Sequence, residues 1–377
     1  MKKIIFFVVP FILLVSCGQV INNTSDDSSG DITTKTDSIG GDKRFKSDAI
    51  SKNLLGESGN QLIHVWLPPS YSTERKNYPV LYFLTGFSET VPEWSNNGFY
   101  SFTGTAKTLM ENKTIKEYII VIISGTNRLW GSFYVNSKVM GNWEDYVTQE
   151  VINYVDTNYR TIATKDGRGI AGQSMGGFGA FNLAMKHPDI YSLCYIHNPG
   201  LFNDKGIFDN QLSDKITIAK FLENQNILKS LNETEAKIKY FSVIQSAMSN
   251  WDFYSMFMYA YGAAFCSKDT PPYTDHPLDK DGNIVNETLL NEWNDGFGNL
   301  DKKVVTYKSN LLSLKGIFIN YGKNDHYQWI PRACQYLSQK LTENGISHKI
   351  LSDNGDHESN IKINFKNNML PFFSDNF

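Results

Sequence analysis

The sequence predicts an α/β domain, a mostly parallel central sheet with helices on both faces. Three observations carry that prediction. Short apolar runs alternate with helical stretches over most of the chain, the rhythm of strand–helix–strand units. Two of those runs, Val80–Thr85 and Tyr118–Ser124, are apolar at nearly every position, as strands buried on both faces are. A hydrophobic share of 41% over 377 residues supplies the core that a disordered chain lacks. The 28 glycines and 12 prolines show no period, which excludes collagen-like and other low-complexity repeats. With 36 basic residues against 39 acidic, the chain lacks the basic excess that nucleic-acid binding usually demands.

Met1-Lys2-Lys3 is basic, and Ile4 to Val15 is an almost unbroken apolar run, too short to stay in a bilayer as a spanning helix. It ends in Leu14-Val15-Ser16-Cys17. A small residue before a cysteine at that point resembles the lipobox of bacterial lipoproteins. The resemblance implies that residues 1–16 are a signal peptide, that cleavage falls before Cys17, and that the Cys17 sulfur is diacylated. The protein would then be lipid-anchored in the cell envelope, with Gly18 pointing to the outer membrane by the same resemblance. The alternative is an ordinary signal peptide in which Cys17 falls by chance. Loss of Lys2 and Lys3 moves the net charge from -3 to -5. Residues 17–48 are polar and read as a flexible tether; the folded domain is expected over 49–377.

Candidate strands follow at Leu62–Leu67, Val80–Thr85, Tyr118–Ser124, Gly169–Gly172, Leu193–His197, Gly316–Tyr321 and Ser347–Leu351. Candidate helices lie between them, at Gly104–Asn112, Trp143–Asn158, Gly177–His187 and Ile330–Asn344. From 202 to 303 the rhythm stops. A compact domain does not normally carry a structureless loop of that length, so the stretch is expected to be a mainly helical insertion over one end of the sheet. It is rich in aromatic residues, among them Trp251, Phe253, Tyr254, Phe257, Tyr259, Tyr261 and Phe265. The alternative is an enlarged core region that never meets substrate. Beyond Cys17 the thiols are Cys194, Cys266 and Cys334, which allow at most one disulfide; Cys194, in an apolar run, reads as core.

The chemistry centres on Gly172-Gln173-Ser174-Met175-Gly176, a Gly-x-Ser-x-Gly between a candidate strand and a candidate helix. Alone the pentapeptide is weak; in that setting it has the context of a nucleophile elbow. The turn is sharp enough that side chains at Gly172 and Gly176 would collide with backbone. The helix that follows aims free N–H groups at the same spot. A serine hydroxyl needs a base, and this arrangement orders serine, acid, histidine along the chain. Asp325 follows the strand Gly316–Tyr321, and His357 lies in the loop after Ser347–Leu351, so the expected set is Ser174, Asp325 and His357. His326 is a rival base, but it adjoins Asp325 on one loop. His348, His187, His64 and His197 read as structural or surface residues. Asp353 and Asp356 lie too close to His357 in sequence to follow a separate strand. Two backbone N–H groups must face the developing oxyanion; Met175, after the nucleophile, and Phe87, after Val80–Thr85, are the candidates. The alternative for Gly86 is a plain strand-to-loop glycine.

Together these residues resemble the esterase branch of the α/β-hydrolases that includes S-formylglutathione hydrolases, feruloyl and acetylxylan esterases of carbohydrate esterase family one, enterobactin esterases and mycolyltransferases. Val65-Trp66-Leu67-Pro68-Pro69-Ser70-Tyr71, Tyr78-Pro79-Val80-Leu81-Tyr82, the elbow and His187-Pro188-Asp189 carry the similarity, which spans about Gln61 to His357. Ala263-Ala264-Phe265 with Pro271-Pro272-Tyr273 is similar to the family's proline-containing segment beside the substrate. Many members have His-Gly where this chain has Thr85-Gly86, which puts the side-chain support of that loop in doubt. The resemblance implies hydrolysis through an acyl-enzyme, with no metal and no organic cofactor. Export, the aromatic insertion and the family together suggest a carbohydrate ester, feruloyl or acetyl, as substrate. Siderophore ester hydrolysis or acyl transfer on the same residues is a second possibility. A non-catalytic binding lipoprotein is a third, from another class.

Overall fold

The protein is described here by a computed structural model, which covers residues 39–95 and 98–377. The predicted signal peptide and Cys17 lie outside the described residues. Among the described residues, eight strands form one sheet: β1 (Gly41–Lys46), β2 (Asn60–Trp66), β3 (Val80–Leu84), β4 (Ile119–Ile123), β5 (Arg168–Gln173), β6 (Leu193–His197), β7 (Gly316–Gly322) and β8 (Lys349–Asp353). Their order across the sheet is β1-β2-β4-β3-β5-β6-β7-β8. The β1–β2 and β2–β4 pairs are antiparallel and every later pair is parallel. The predicted mostly parallel sheet is therefore present.

The continuously apolar runs behave as expected. Every residue of β3 and β4 is buried. Side chains alternate between faces along a strand: Val80, Tyr82 and Leu84 enter one core cluster, while Leu81 and Phe83 enter another. The first cluster is covered by helices that include α1 (143–158) and α2 (Met175–Lys186). The second is closed by Phe102–Glu111 and by three short helical pieces at the C-terminal end, Ile361–Asn364, Phe365–Met369 and Leu370–Asn376. That C-terminal cover was not among the predicted elements.

β1 corrects the tether, which was expected to run to residue 48. All six residues of β1 pair with β2, so the folded region begins at Gly41 or before. An edge strand needs only one hydrogen-bonding edge and a little apolar surface. Phe45 supplies that surface, stacking on Tyr154 with ring centroids 4.8 Å apart.

Between β6 and β7 lie α3 (Lys215–Ser230), α4 (Glu233–Ser249), α5 (Phe253–Phe265) and α6 (Glu287–Phe297), with shorter turns. Each of the four starts on an Asp or Asn whose side chain accepts an N–H of the first turn: Asp214, Asn232, Asp252 and Asn286. After β7 comes α7 (Trp329–Glu343). Cys194, Cys266 and Cys334 are all buried and, among the described residues, unpaired, and burial pushes each thiol's pKa up. Among the described residues no helix is long and apolar enough to cross a membrane.

Candidate active site

Parallel strands present their C-terminal ends to one edge, where open α/β sheets build sites. Ser174 directly follows β5 and precedes α2. It has φ 55° and ψ −117°, a backbone conformation that L-residues rarely adopt. Its N–H donates to His197 O at 2.9 Å, and its carbonyl accepts Gly200 N–H at 2.9 Å and Phe178 N–H at 3.1 Å. The glycines are required by contact. A Cβ on Gly172 would lie 2.1 Å from Gly176 O, and one on Gly176 would lie 2.0 Å from Leu84 O.

His357, in the loop after β8, and Asp325, after β7, are brought together. His357 Nδ1 lies 2.6 Å from Asp325 Oδ2. Asp325 is fully buried, and its Oδ1 accepts Tyr327 N–H at 2.8 Å. The Tyr327 ring packs edge-on to His357 at 5.1 Å and lines the pocket that contains Ser174. The Ser174 hydroxyl itself has no hydrogen-bond partner among the described residues, a common state before substrate arrives.

The rivals are engaged elsewhere. His326 is exposed, and Asp325 turns to His357 instead. His348 bonds Ser338, His187 pairs with Glu144 at 2.8 Å, and His64 pairs with Asp42. His197 is buried with its Nε2 3.2 Å from Asn364 Nδ2, and burial lowers its pKa to about 3, so it stays neutral. Asp353 accepts from Asn360 and Asn364, while Asp356 accepts the N–H groups of Glu358 and Ser359.

Phe87 and Met175 both border the Ser174 pocket. Met175 opens α2, so its N–H has no carbonyl of an earlier turn to reach. The Phe87 N–H makes no hydrogen bond among the described residues. Gly131 wedges beside both: a Cβ there would lie 2.4 Å from the Phe87 ring and 2.6 Å from Met175 Sδ. The doubt over Thr85 is answered locally. Thr85 Oγ1 donates to Glu89 O at 3.1 Å, and Tyr134 Oη donates to Thr85 O at 2.9 Å.

The pocket is small and walled by Phe87, Phe253, Phe257, Phe297, Tyr327 and Trp329. Phe253 and Phe257 come from α5, so the aromatic segment does reach the site. Pro271-Pro272-Tyr273 does not line this pocket. Its Tyr273 ring instead meets Tyr240 of α4 at 5.2 Å, against the expectation drawn from the resemblance. Sequence reasoning also missed Asn198. Its Nδ2 donates to His357 O at 2.9 Å and its Oδ1 accepts Gly322 N–H at 2.8 Å, tying the histidine loop to the end of β7. Its only sequence signal is a position one residue past β6.

A profile described as "Putative esterase" matches residues 59–376. The chain belongs to that family. The family match and the named esterase relatives support a carboxylic ester hydrolase, and the sheet is that of the α/β-hydrolase fold. An esterase of Mycobacterium tuberculosis is 36% identical over 145 residues, 38% of this chain and 28% of its own length. An endo-1,4-beta-xylanase/feruloyl esterase of Xylanibacter ruminicola is 26% identical over 157 residues, 40% of this chain and 21% of its own. The match thus spans less than a third of either relative. Among solved structures, a ferulic acid esterase aligns over 90% of this chain and 98% of its own, with TM-score 0.56 and 20% identity. An S-formylglutathione hydrolase from Agrobacterium tumefaciens aligns over 91% and 97%, with TM-score 0.52 and 14% identity. At those identities the two structures speak for the fold.

Proposed function

We propose that this protein is a serine carboxylesterase that cleaves its substrate through an acyl-enzyme. The observation that carries the proposal is the buried Asp325–His357 pair at 2.6 Å beside a strained serine at a strand-to-helix turn. In this reading His357 Nε2 takes the Ser174 proton as Oγ attacks the ester carbonyl. The developing oxyanion is held by the N–H groups of Phe87 and Met175. The imidazolium then protonates the leaving alcohol, after which neutral His357 activates a water to release the acid. Asp325 holds the imidazole with Nδ1–H toward itself and stabilises its charged form.

For the substrate we propose a feruloyl or acetyl ester of a carbohydrate. The aromatic wall of the pocket supports an aromatic acyl group, and the relatives named for feruloyl esters agree. Hydrolysis of methyl ferulate and p-nitrophenyl acetate by wild type, absent in Ser174→Ala, is the expected result. Turnover of neither ester by wild type removes the substrate assignment. We further propose lipid attachment at Cys17 and an envelope location, carried by the lipobox resemblance alone. Incorporation of labelled palmitate that disappears in Cys17→Ser is the expected result, and equal incorporation in both overturns it.

A further inference from the structure

Glu89 grips the loop that carries Phe87 from both sides of Gly86. Its carboxylate Oε2 accepts Gly86 N–H at 2.6 Å and Trp94 Nε1–H at 3.0 Å, and its Oε1 accepts the Tyr100 hydroxyl at 3.1 Å. Its own N–H donates to Gly86 O at 3.3 Å. That carbonyl belongs to the same peptide plane as the Phe87 N–H. Its own carbonyl in turn accepts the hydroxyls of Thr85, Ser124 and Thr126, at 3.1, 2.7 and 2.6 Å. Glycine is the residue freest to rotate about φ and ψ, so the direction of the Phe87 N–H is set by whatever holds the two planes flanking Gly86. Glu89 holds both.

We infer that Glu89 is the positioning residue of the oxyanion hole, aiming the Phe87 N–H at the acyl oxygen without touching substrate. The inference rests on the serine-esterase reading. The site has a second unassigned feature. Gln173 Oε1, next to the nucleophile, is buried without a partner among the described residues. A Cβ on Gly86 would lie 2.6 Å from this oxygen and 2.8 Å from Glu89 Oε2, so both face the same side of Gly86. Burial pushes the Glu89 carboxyl up to about 7, with Glu93 adding to the rise and the Gly86 and Tyr100 hydrogen bonds and His357 opposing it. The Tyr134 phenol also feels its charge. Below pH 7 the acid has a proton to donate, and Gln173 Oε1 is the open acceptor beside it.

The test compares wild type, Glu89→Ala and Glu89→Gln on p-nitrophenyl acetate. Glutamine keeps an acceptor for Gly86 N–H and lets the Tyr100 hydroxyl turn from donor to acceptor. At pH 6, Glu89→Ala is expected to lose kcat by about 10–100-fold with KM within about two-fold, less than the roughly 10²–10³ of a deleted oxyanion donor because the Phe87 N–H is misaimed and not removed. Glu89→Gln should stay within about three-fold of wild type. Glu89→Ala that folds and keeps kcat within three-fold overturns the inference, as does an equal loss in both variants. Should the alanine variant not fold, the ratio of wild-type to Glu89→Gln kcat between pH 5.5 and 8.5 decides. A ratio that departs from its acid value as pH passes 7 supports the inference, and a flat ratio overturns it. Failure of the esterase reading looks different, since wild type itself then turns over no ester and Ser174 takes up no phosphonate probe.

Discussion

Replacing Asp325 by Asn tests the role of a buried carboxylate by changing little but its chemistry. Asp325 is fully buried, with Oδ2 2.6 Å from His357 Nδ1 and Oδ1 accepting Tyr327 N–H at 2.8 Å. The amide has one oxygen and one NH2 to place against these two partners. Tyr327 N–H can only donate, so the oxygen stays there and the NH2 faces His357. Nδ1 must then accept, the imidazole proton moves to Nε2, and Nε2 can no longer take the Ser174 proton. The expected loss in kcat is on the order of 10³–10⁴, or about 4–5.5 kcal/mol of transition-state stabilisation. KM for p-nitrophenyl acetate should stay within about three-fold, because the aromatic pocket is untouched. Stability should fall by no more than about 1 kcal/mol in urea, since every buried group keeps a partner. A kcat loss below ten-fold in folded protein would refute the assignment of Asp325.

Four other outcomes follow from the same contacts. Gly176→Ala places a Cβ 2.0 Å from Leu84 O, which forces β3 and α2 apart; a destabilisation of about 1–3 kcal/mol and near-complete loss of esterase activity are expected, and unchanged melting would contradict this. Asn198→Ala strips partners from His357 O and Gly322 N–H, with an expected cost of about 1–3 kcal/mol and a lowered kcat; urea denaturation with steady-state kinetics reads both. Trp251 is 78% exposed and lies 5.9 Å from Trp130, which reaches Phe87, so Trp251→Ala should leave stability within about 0.5 kcal/mol but lower kcat/KM on a feruloylated oligosaccharide relative to methyl ferulate; an unchanged ratio excludes a sugar contact there.

The pH dependence of stability carries the fourth. His197 has a folded pKa of about 3, below its ordinary 6.5, so the unfolded chain binds more protons between those values and stability falls as pH drops from 6.5 towards 3. Glu89 has a folded pKa of about 7, above its ordinary 4.5, so its contribution is present below pH 4.5 and is lost as pH rises through 7. The two slopes oppose each other between 4.5 and 6.5. Urea midpoints for His197→Gln and Glu89→Gln should separate them, the first flattening the acid limb and the second the neutral limb; identical pH profiles for both variants would count against these assignments.

Seven of the sheet's eight strands were legible in the sequence, most of them because their apolar runs stand out from their surroundings, although β8 is nowhere buried. β1 was not, since Asp42, Lys43, Arg44 and Lys46 give it a polar composition and only Phe45 packs. The C-terminal cover did carry a signal: Ile361, Phe365, Met369 and Phe373 recur at the four-residue spacing of a helix face. Ser174 and its expected partners were legible because this fold places each after a particular strand, so chain order alone proposes them. Gln173 and Asn198 were not, because their importance lies in contacts across the sheet edge, and Glu89 was not, because nothing in the sequence shows that its side chain turns back onto Gly86. Asn198 meets His357 across 159 positions of sequence, and Gln173 meets it across 184. The Pro271–Tyr273 segment shows the opposite error. A local likeness suggested substrate contact, but Tyr273 packs on Tyr240, and Phe253 and Phe257, at the other end of that aromatic stretch, line the pocket.

The central claim is that Ser174 is an activated nucleophile. Incubation with a fluorophosphonate, followed by intact-mass measurement and peptide mapping, tests it most directly. The account predicts one adduct per chain, on Ser174, formed much more slowly in His357→Ala and absent in Ser174→Ala. An unmodified Ser174 in folded wild-type protein, or an adduct at another residue, would contradict it.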